Sequence, residues 1–262
     1  SFTMRNKTYR NWPDNREIDP KDFYRQLREG EMATTSAVNV SDFTETIEPH
    51  LKEGRDVLVV AFSSGLSATC HSAQIAAQEL SEQYPERKVY VVDSLCASLG
   101  QGLLVWYAAR MKNEGRGIGA VRDWLEENKL HLCHWFTVDD LHFLKRGGRI
   151  SKTAAFAGGV LNIKPVLSVI DGEIHLLGKA RGSKMGNNLL VQEIDKAGGI
   201  DFSRPVLLGY SGISDALLLK YIEDSRHIWE GKLKELRYTT VGSVIGTHAG
   251  PGAVVVAFFK NQ

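Results

Sequence analysis

The sequence contains few cysteines, and their placement argues against two common ways of stabilising a fold. Cys70, Cys96 and Cys133 are the three cysteines among 262 residues. The number is odd, the three lie far apart, and no CxxC motif is present. A disulfide framework and a zinc knuckle are therefore not expected. With no secretory signal visible at the start of the sequence, this pattern predicts a cytoplasmic protein kept in its reduced form.

Excess charge and long apolar runs are also lacking. Lysine and arginine number 32 and aspartate and glutamate 31, which leaves a formal net charge of +1. Such a balance supplies no field for wrapping nucleic acid, so no nucleic-acid partner is expected. The longest apolar run, residues 253–259, is far shorter than the ~18 residues of a membrane span. It predicts a buried strand, and stable membrane insertion is not expected.

The motifs of several familiar chemistries are absent. The sequence has no Walker A loop, no HExxH and no GxSxG elbow. The glycine-rich segment 115–119 links two predicted helices. Asp139 and Asp140 are best explained as capping residues at the start of a helix. We therefore expect neither a metal site nor a cofactor.

Two kinds of secondary-structure pattern follow one another along the chain. Up to about residue 138, apolar runs such as 56–62 and 88–92 alternate with helical segments, a pattern typical of a parallel sheet with helices on both faces. Further on, two β-rich runs flank Asp171 and Gly172, a strong hairpin signal. The predicted fold class is α/β in two domains. Residues 1–145 form an N-terminal parallel-sheet α/β/α domain, and residues 146–262 form a C-terminal α+β domain with a largely antiparallel sheet.

Two clusters of hydroxyl side chains stand out. Residues 63–67 (SSGLS) follow the run 56–62 and precede a predicted helix over 68–83. Free backbone N–H groups and the helix dipole would favour an anion there, although an N-cap serine with turn-forming neighbours explains part of the pattern equally well. Residues 34–36 (TTS) lie in a predicted loop between two helices, where capping is the simpler explanation.

Basic and histidine-containing turns occur in the second half of the chain. Residues 146–149 (RGGR) offer arginine, whose planar fork suits a carboxylate or a phosphate. Cations at the end of a helix have the same appearance, because they complement the helix dipole. Arg181 begins a second basic turn. His248 lies among residues too small to cover it, which makes it a better site candidate than a core histidine.

Six segments of the chain together resemble the DegV family. In family order they are EMATTSAVNVSDF, VLVVAFSSGLSATCHSAQIA, VYVVDSLCASLGQGLL, DDLHFLKRGGRIS, IKPVLSVIDGEI and IGTHAGPGAVVVAFF. The family is known as bacterial fatty-acid-binding proteins of two domains, and some members carry a fatty acid to a partner kinase that phosphorylates the bound carboxylate. The resemblance implies a lipid carrier that is not an enzyme on its own. It would bind a long-chain fatty acid in a tunnel between the domains.

The resemblance also implies which residues hold the carboxylate. The family uses a hydroxyl of the TTS-type loop, a serine of the SSGLS-type loop, a histidine before the terminal glycine turn and an arginine of the GGRI turn. A buried carboxylate needs several donors, because an unpaired charge in an apolar site is costly. Thr35 and Ser64 are favoured within their loops. The full set is Thr34, Thr35, Ser64, Ser67, Arg149 and His248.

The acyl chain and the partner are assigned in the same way. The resemblance implies that Ala97, Leu99 and Phe156 line the acyl chain. Arg181 resembles a basic residue implicated in meeting the kinase. Family members usually begin with a further strand, which does not precede Phe2 in this sequence.

Two other functions remain open for the same residues. Ser64 or Ser67 with His248 would supply the nucleophile and base of a hydrolase or transferase, although no orienting acid is readable from the sequence. Residues 63–67 would alternatively cradle a small phosphate ligand. An apolar tunnel would argue against the phosphate ligand, since a small anion needs none.

Overall fold

The computed structural model describes residues 1–150, 162–233 and 235–261. In chain order the strands among them are β1 (Phe2–Met4), β2 (Lys7–Tyr9), β3 (Ala33–Thr35), β4 (Val57–Ala61), β5 (Val89–Asp93), β6 (Leu132–Thr137), β7 (Ile163–Ile170), β8 (Glu173–Arg181), β9 (Leu207–Tyr210), β10 (Arg237–Thr240) and β11 (Val254–Phe259). The α-helices are α1 (Pro20–Arg28), α2 (Val40–Lys52), α3 (Thr69–Gln83), α4 (Ser98–Asn113), α5 (Ile118–Asn128), α6 (His142–Arg146), α7 (Gly182–Lys196), α8 (Ala216–Asp224), α9 (Arg226–Trp229) and α10 (Ser243–Ala249).

The chain divides into two compact units. The first comprises residues 1–36, 132–170 and 174–262, and the second comprises residues 37–131 and 171–173. This division differs from the predicted boundary between residues 145 and 146. The reason is long-range pairing: β6 belongs with the C-terminal strands, and the N-terminal strands belong to the same unit.

The second unit is built around β4 and β5, which pair in parallel as predicted. One face of this pair, which carries Val59, packs against α2 and α3. The other face meets α4 and α5. Gln101 of α4 donates to the Val60 carbonyl at 3.0 Å, and the Arg122 guanidinium of α5 lies 4.4 Å from the centre of the Tyr90 ring. The α/β/α layering expected of this segment is therefore present.

The first unit contains a six-stranded sheet in the order β10-β9-β11-β6-β7-β8. β11 pairs antiparallel with both β9 and β6, and β6 pairs antiparallel with β7. The predicted hairpin connects β7 to β8, and Asp171 and Gly172 at its turn both have positive φ, as a tight two-residue turn requires. Helices α7 and α8 cover one face, where the buried side chains include Trp135, Leu208 and Val256. The sheet is largely antiparallel, as predicted.

A second sheet in the first unit has the order β2-β1-β3 and is antiparallel. Its buried side chains, including Phe2, Met4 and Ala33, pack with Phe23 and Tyr24 of α1. The sequence pattern predicted a loop at residues 34–36, and β3 corrects that prediction. A three-residue strand is stabilised by its neighbour β1 and not by a long local pattern, so local signals are weak here.

Candidate functional site in the first unit

Thr35 and His248 form the centre of a polar cluster in the first unit. The Thr35 hydroxyl oxygen lies 2.7 Å from Nε2 of His248. Thr35 pairs with Phe2 across the sheet and is half-buried, whereas its neighbour Thr34 is exposed. Successive residues of a strand point to opposite faces. The strand β3 therefore brings Thr35 to His248 and directs Thr34 away from it.

His248 is positioned by aromatic side chains packed around the short helix α10. The buried hydroxyl of Tyr24 donates to the Val241 carbonyl at 2.7 Å, just before this helix begins. The ring of Phe143 packs against Gly250, just after it ends. Neither aromatic was singled out by the sequence pattern, because each acts through a distant segment.

The imidazole of His248 lies against the backbone of Gly147. A Cβ atom at this position would clash with Nδ1 of His248, so only glycine permits this approach. Nδ1 is buried and has no hydrogen-bond partner among the residues described. Burial, together with the positive charges of Arg149 and Arg146, lowers the pKa of His248 to about 4. The imidazole is therefore neutral near pH 7.

The unpartnered Nδ1 indicates which nitrogen of His248 carries the proton. A buried N–H without an acceptor is rarer in proteins than an under-satisfied acceptor. We therefore assign the proton to Nε2, which donates to the Thr35 oxygen. The hydroxyl hydrogen of Thr35 then remains available for an acceptor on a ligand.

The RGGR turn ends helix α6 in a defined geometry. At the start of this helix Asp140 accepts from the His142 N–H at 2.8 Å, although the N-cap position itself is Leu141. Asp139 forms an ion pair with Lys164, so the capping role predicted for Asp139 is wrong. At its end the Arg149 N–H bonds to the Leu144 carbonyl and the Gly148 N–H to the Lys145 carbonyl. With Gly148 at φ 71°, these bonds form a Schellman motif. The motif fixes the backbone of Arg149, whose charge acts on His248.

Candidate functional site in the second unit

Every backbone N–H group of the SSGLS loop is hydrogen-bonded within the second unit. Ser63 N–H bonds to the Cys96 carbonyl, and Ser64 N–H bonds to the Asp93 carboxylate at 3.3 Å. The N–H groups of residues 65–67 all bond to the hydroxyl or the carbonyl of Ser63. The free amides predicted for an anion cradle are therefore not present, because the turn uses them to hold itself together.

The three serines of this loop have different surroundings. Ser63 is completely buried, and its hydroxyl donates to the Gly172 carbonyl at 2.7 Å. The Ser67 hydroxyl lies 2.9 Å from that of Thr69 and accepts from the Thr69 N–H. Ser64 is exposed, and its hydroxyl makes no hydrogen bond to the described part of the chain. Ser64 is therefore the serine of the loop whose hydroxyl has no hydrogen-bond partner in the described residues.

The remaining predicted residues fall at three kinds of position. Ala97 and Leu99 are buried at the start of α4 in the second unit. Arg181 is exposed at the end of β8 in the first unit, immediately before α7. Phe156 lies outside the described residues.

Two other kinds of feature, a metal site and a membrane-spanning helix, are absent from the described ranges. No group of three or more histidine, cysteine, aspartate or glutamate side chains in these ranges is arranged to hold a metal ion. None of the helices described there combines the length and the apolar character needed to cross a membrane.

Comparison with known proteins identifies the family. A family model described as "Uncharacterised protein, DegV family" matches residues 3–261. A DegV domain-containing protein of Clostridium perfringens is 45% identical over 247 residues, which cover 94% of this chain and 84% of the relative.

Solved structures give the same result. A DegV family protein of Thermus thermophilus, described as binding fatty acid, is 33% identical with a TM-score of 0.83, over 98% of this chain and 89% of its own. DegV of Bacillus subtilis, described as a fatty acid binding protein, is 30% identical with a TM-score of 0.78, over 99% of this chain and 89% of its own. On this evidence the chain belongs to the DegV family.

Proposed function

We propose that this protein binds a long-chain fatty acid and presents its carboxylate to a partner kinase. The observation that carries the first part is the similarity, over nearly the whole chain, to two solved proteins described as fatty-acid-binding. The second part follows from the family resemblance of the motifs, since some members serve a kinase in this way.

The polar cluster of the first unit supplies suitable chemistry for the head group. Thr35 keeps a hydroxyl hydrogen for a carboxylate oxygen, because Nε2 of His248 occupies its acceptor side. Arg149 supplies positive charge, and a neutral His248 adds a dipole without a second full charge. Ser64 is the further hydroxyl donor that the resemblance implies. Each hydrogen bond to a charged group contributes ~1.5–3 kcal/mol.

Burial of the acyl chain supplies the larger part of the affinity. Each CH₂ group removed from water contributes ~0.8 kcal/mol, so a long chain outweighs any single head-group bond. Ala97 and Leu99 are our candidates for lining residues. Loss of one head-group donor is therefore expected to weaken binding without abolishing it.

The alternative, a serine hydrolase or transferase with His248 as base, receives less support from the geometry. The hydrogen-bond partner of His248 is a threonine, and no carboxylate in the described residues orients its Nδ1. A base whose pKa lies near 4 is also poorly matched to work at neutral pH.

The test is mass spectrometry of an organic extract of the purified protein, together with the native mass of the intact protein. We expect a co-purifying fatty acid at about one per chain, or stoichiometric uptake of added oleate by protein stripped of lipid. A protein that carries no lipid and takes up none would refute the proposal. Labelling by a fluorophosphonate probe would instead support the serine enzyme.

A further inference from the structure

Arg146 carries a buried cationic nitrogen for which the described residues provide no acceptor. It is the last residue of α6, and its Nη2 atom is buried without a hydrogen-bond partner there. None of the ion pairs in the described ranges involves this guanidinium. A buried charged donor left unsatisfied is costly, and proteins keep such groups where something else supplies the acceptor.

Capping of its own helix does not explain this side chain. A cation at the end of a helix usually complements the last free carbonyl groups. Here the N–H groups of residues 147–149 already bond to the carbonyls of Phe143, Leu144 and Lys145. These three carbonyls of the last turn are thus satisfied by the backbone and do not need the guanidinium of Arg146.

The packing around Arg146 places it beside His248. Its guanidinium lies 5.0 Å from the centre of the Phe143 ring, and the same ring packs against Gly250 at the end of α10. Gly147, the next residue in the chain, is in direct contact with the His248 imidazole. The positive charge of Arg146 also contributes to the lowered pKa of His248.

We propose that Arg146 is a second cation of the head-group site and donates its free N–H to a carboxylate oxygen of the bound fatty acid. The inference rests on the proposed function and assigns to it a residue that the motif resemblance does not. The ligand class is a carboxylate on a long acyl chain. Arg149 and Arg146, which belong to the same turn, would then both contribute positive charge that neutralises the carboxylate.

The experiment compares a charged and an uncharged ligand of the same chain length. Oleate and oleyl alcohol are titrated into lipid-free wild-type protein, Arg146→Gln and Lys145→Gln, with native mass spectrometry or calorimetry as the readout. Lys145 is the matched control, because it is an exposed cation on the same helix, one residue away. Arg146→Lys is included as a variant that keeps the charge.

We expect Arg146→Gln to bind oleate at least 10-fold more weakly and oleyl alcohol unchanged, with partial recovery in Arg146→Lys. Lys145→Gln should match the wild type with both ligands. Equal weakening of oleate and oleyl alcohol in Arg146→Gln would mean a structural role and overturn the inference. Unchanged oleate binding would overturn it as well. A wild-type protein that binds neither ligand refutes the proposed function itself, which separates the two failures.

Discussion

The hydroxyl of Thr35 lies 2.7 Å from Nε2 of His248, although 213 positions separate the two residues in the chain. The strand β3 carries the first and the helix α10 carries the second. Neither segment forms a donor site alone, because the histidine occupies one side of the hydroxyl and leaves the other side free. The pair therefore links the fold of the first unit directly to its proposed ligand chemistry.

Replacing Thr35 by valine removes the hydroxyl and keeps the side-chain shape. We expect oleate affinity to fall by ~1–3 kcal/mol, or roughly 5- to 150-fold, because one head-group donor is lost. Thr34→Val is the matched control, since Thr34 is exposed on the opposite face of the same strand. The measurement is calorimetric titration of both variants. Equal affinities for the two variants would contradict the assignment of Thr35.

Ser63 and Ser64 are adjacent, yet we expect their replacement by alanine to affect different properties: stability for Ser63 and oleate binding for Ser64. Ser63→Ala should lower the free energy of unfolding by ~1–3 kcal/mol, because it leaves the buried carbonyl of Gly172 without its donor. Ser64→Ala should leave stability unchanged and weaken oleate binding, because the exposed hydroxyl of Ser64 makes no hydrogen bond to the residues that the structure describes. Urea unfolding and oleate titration of both variants separate the two roles. If Ser64→Ala binds oleate as tightly as the wild type, Ser64 is not a donor to the head group.

The burial of His134 predicts that the free energy of unfolding depends on pH. His134 is buried on β6, and burial lowers its pKa from 6.5 to about 4. Between these values the unfolded chain binds a proton that the folded protein does not, so stability is full above pH 6.5 and falls as the pH drops toward 4. Between pH 7 and 4.5 the loss from this one group is ~2–3 kcal/mol.

The check on His134 is urea unfolding at pH 7 and 4.5. His134→Leu should lose part of the pH-dependent difference, and the remainder includes His248, whose pKa is lowered in the same direction. The control is His175→Gln, which changes an exposed histidine of β8. A difference of the same size in His134→Leu and in the wild type would show that His134 titrates normally.

Arg181 tests the kinase part of the proposal. Because this side chain is exposed, Arg181→Glu should leave oleate affinity unchanged and impair acyl-phosphate formation by a fatty acid kinase catalytic subunit, at least 10-fold in rate. Lys196→Glu makes the same charge reversal on an exposed residue at the other end of α7. Loss of oleate binding in Arg181→Glu, or equal rates in the two variants, would argue against a partner surface at this position.

The elements that sequence reasoning predicted correctly are those with strong local patterns. The β-branched runs of β4 and β5 indicate a parallel pair, and Asp171 with Gly172 indicates the hairpin. The strand β3 and the division into units were not predictable in this way, because they depend on pairing between distant segments.

The same distinction between local patterns and long-range contacts applies to the candidate site. Residue types and motif resemblance select Thr35, Arg149 and His248, but they do not show that Gly147 contacts the imidazole or that the loop amides of residues 63–67 are already bonded. Those facts come from backbone geometry. The RGGR turn did contain a signal for Gly147. The turn has two glycines, and the Schellman motif requires only Gly148, so Gly147 needs another explanation.

The position of β11 has a consequence for how the protein is made. This strand follows the other described strands in chain order, yet it lies inside the six-stranded sheet between β9 and β6. During translation, residues 37–131 of the second unit emerge early and nearly complete. The larger sheet cannot be completed until residues 254–259 leave the ribosome. Until then, the edges of β9 and β6 that pair with β11 remain unpaired. A nascent chain in which β9 and β6 have emerged but β11 has not would therefore expose two open strand edges, a state prone to aggregation.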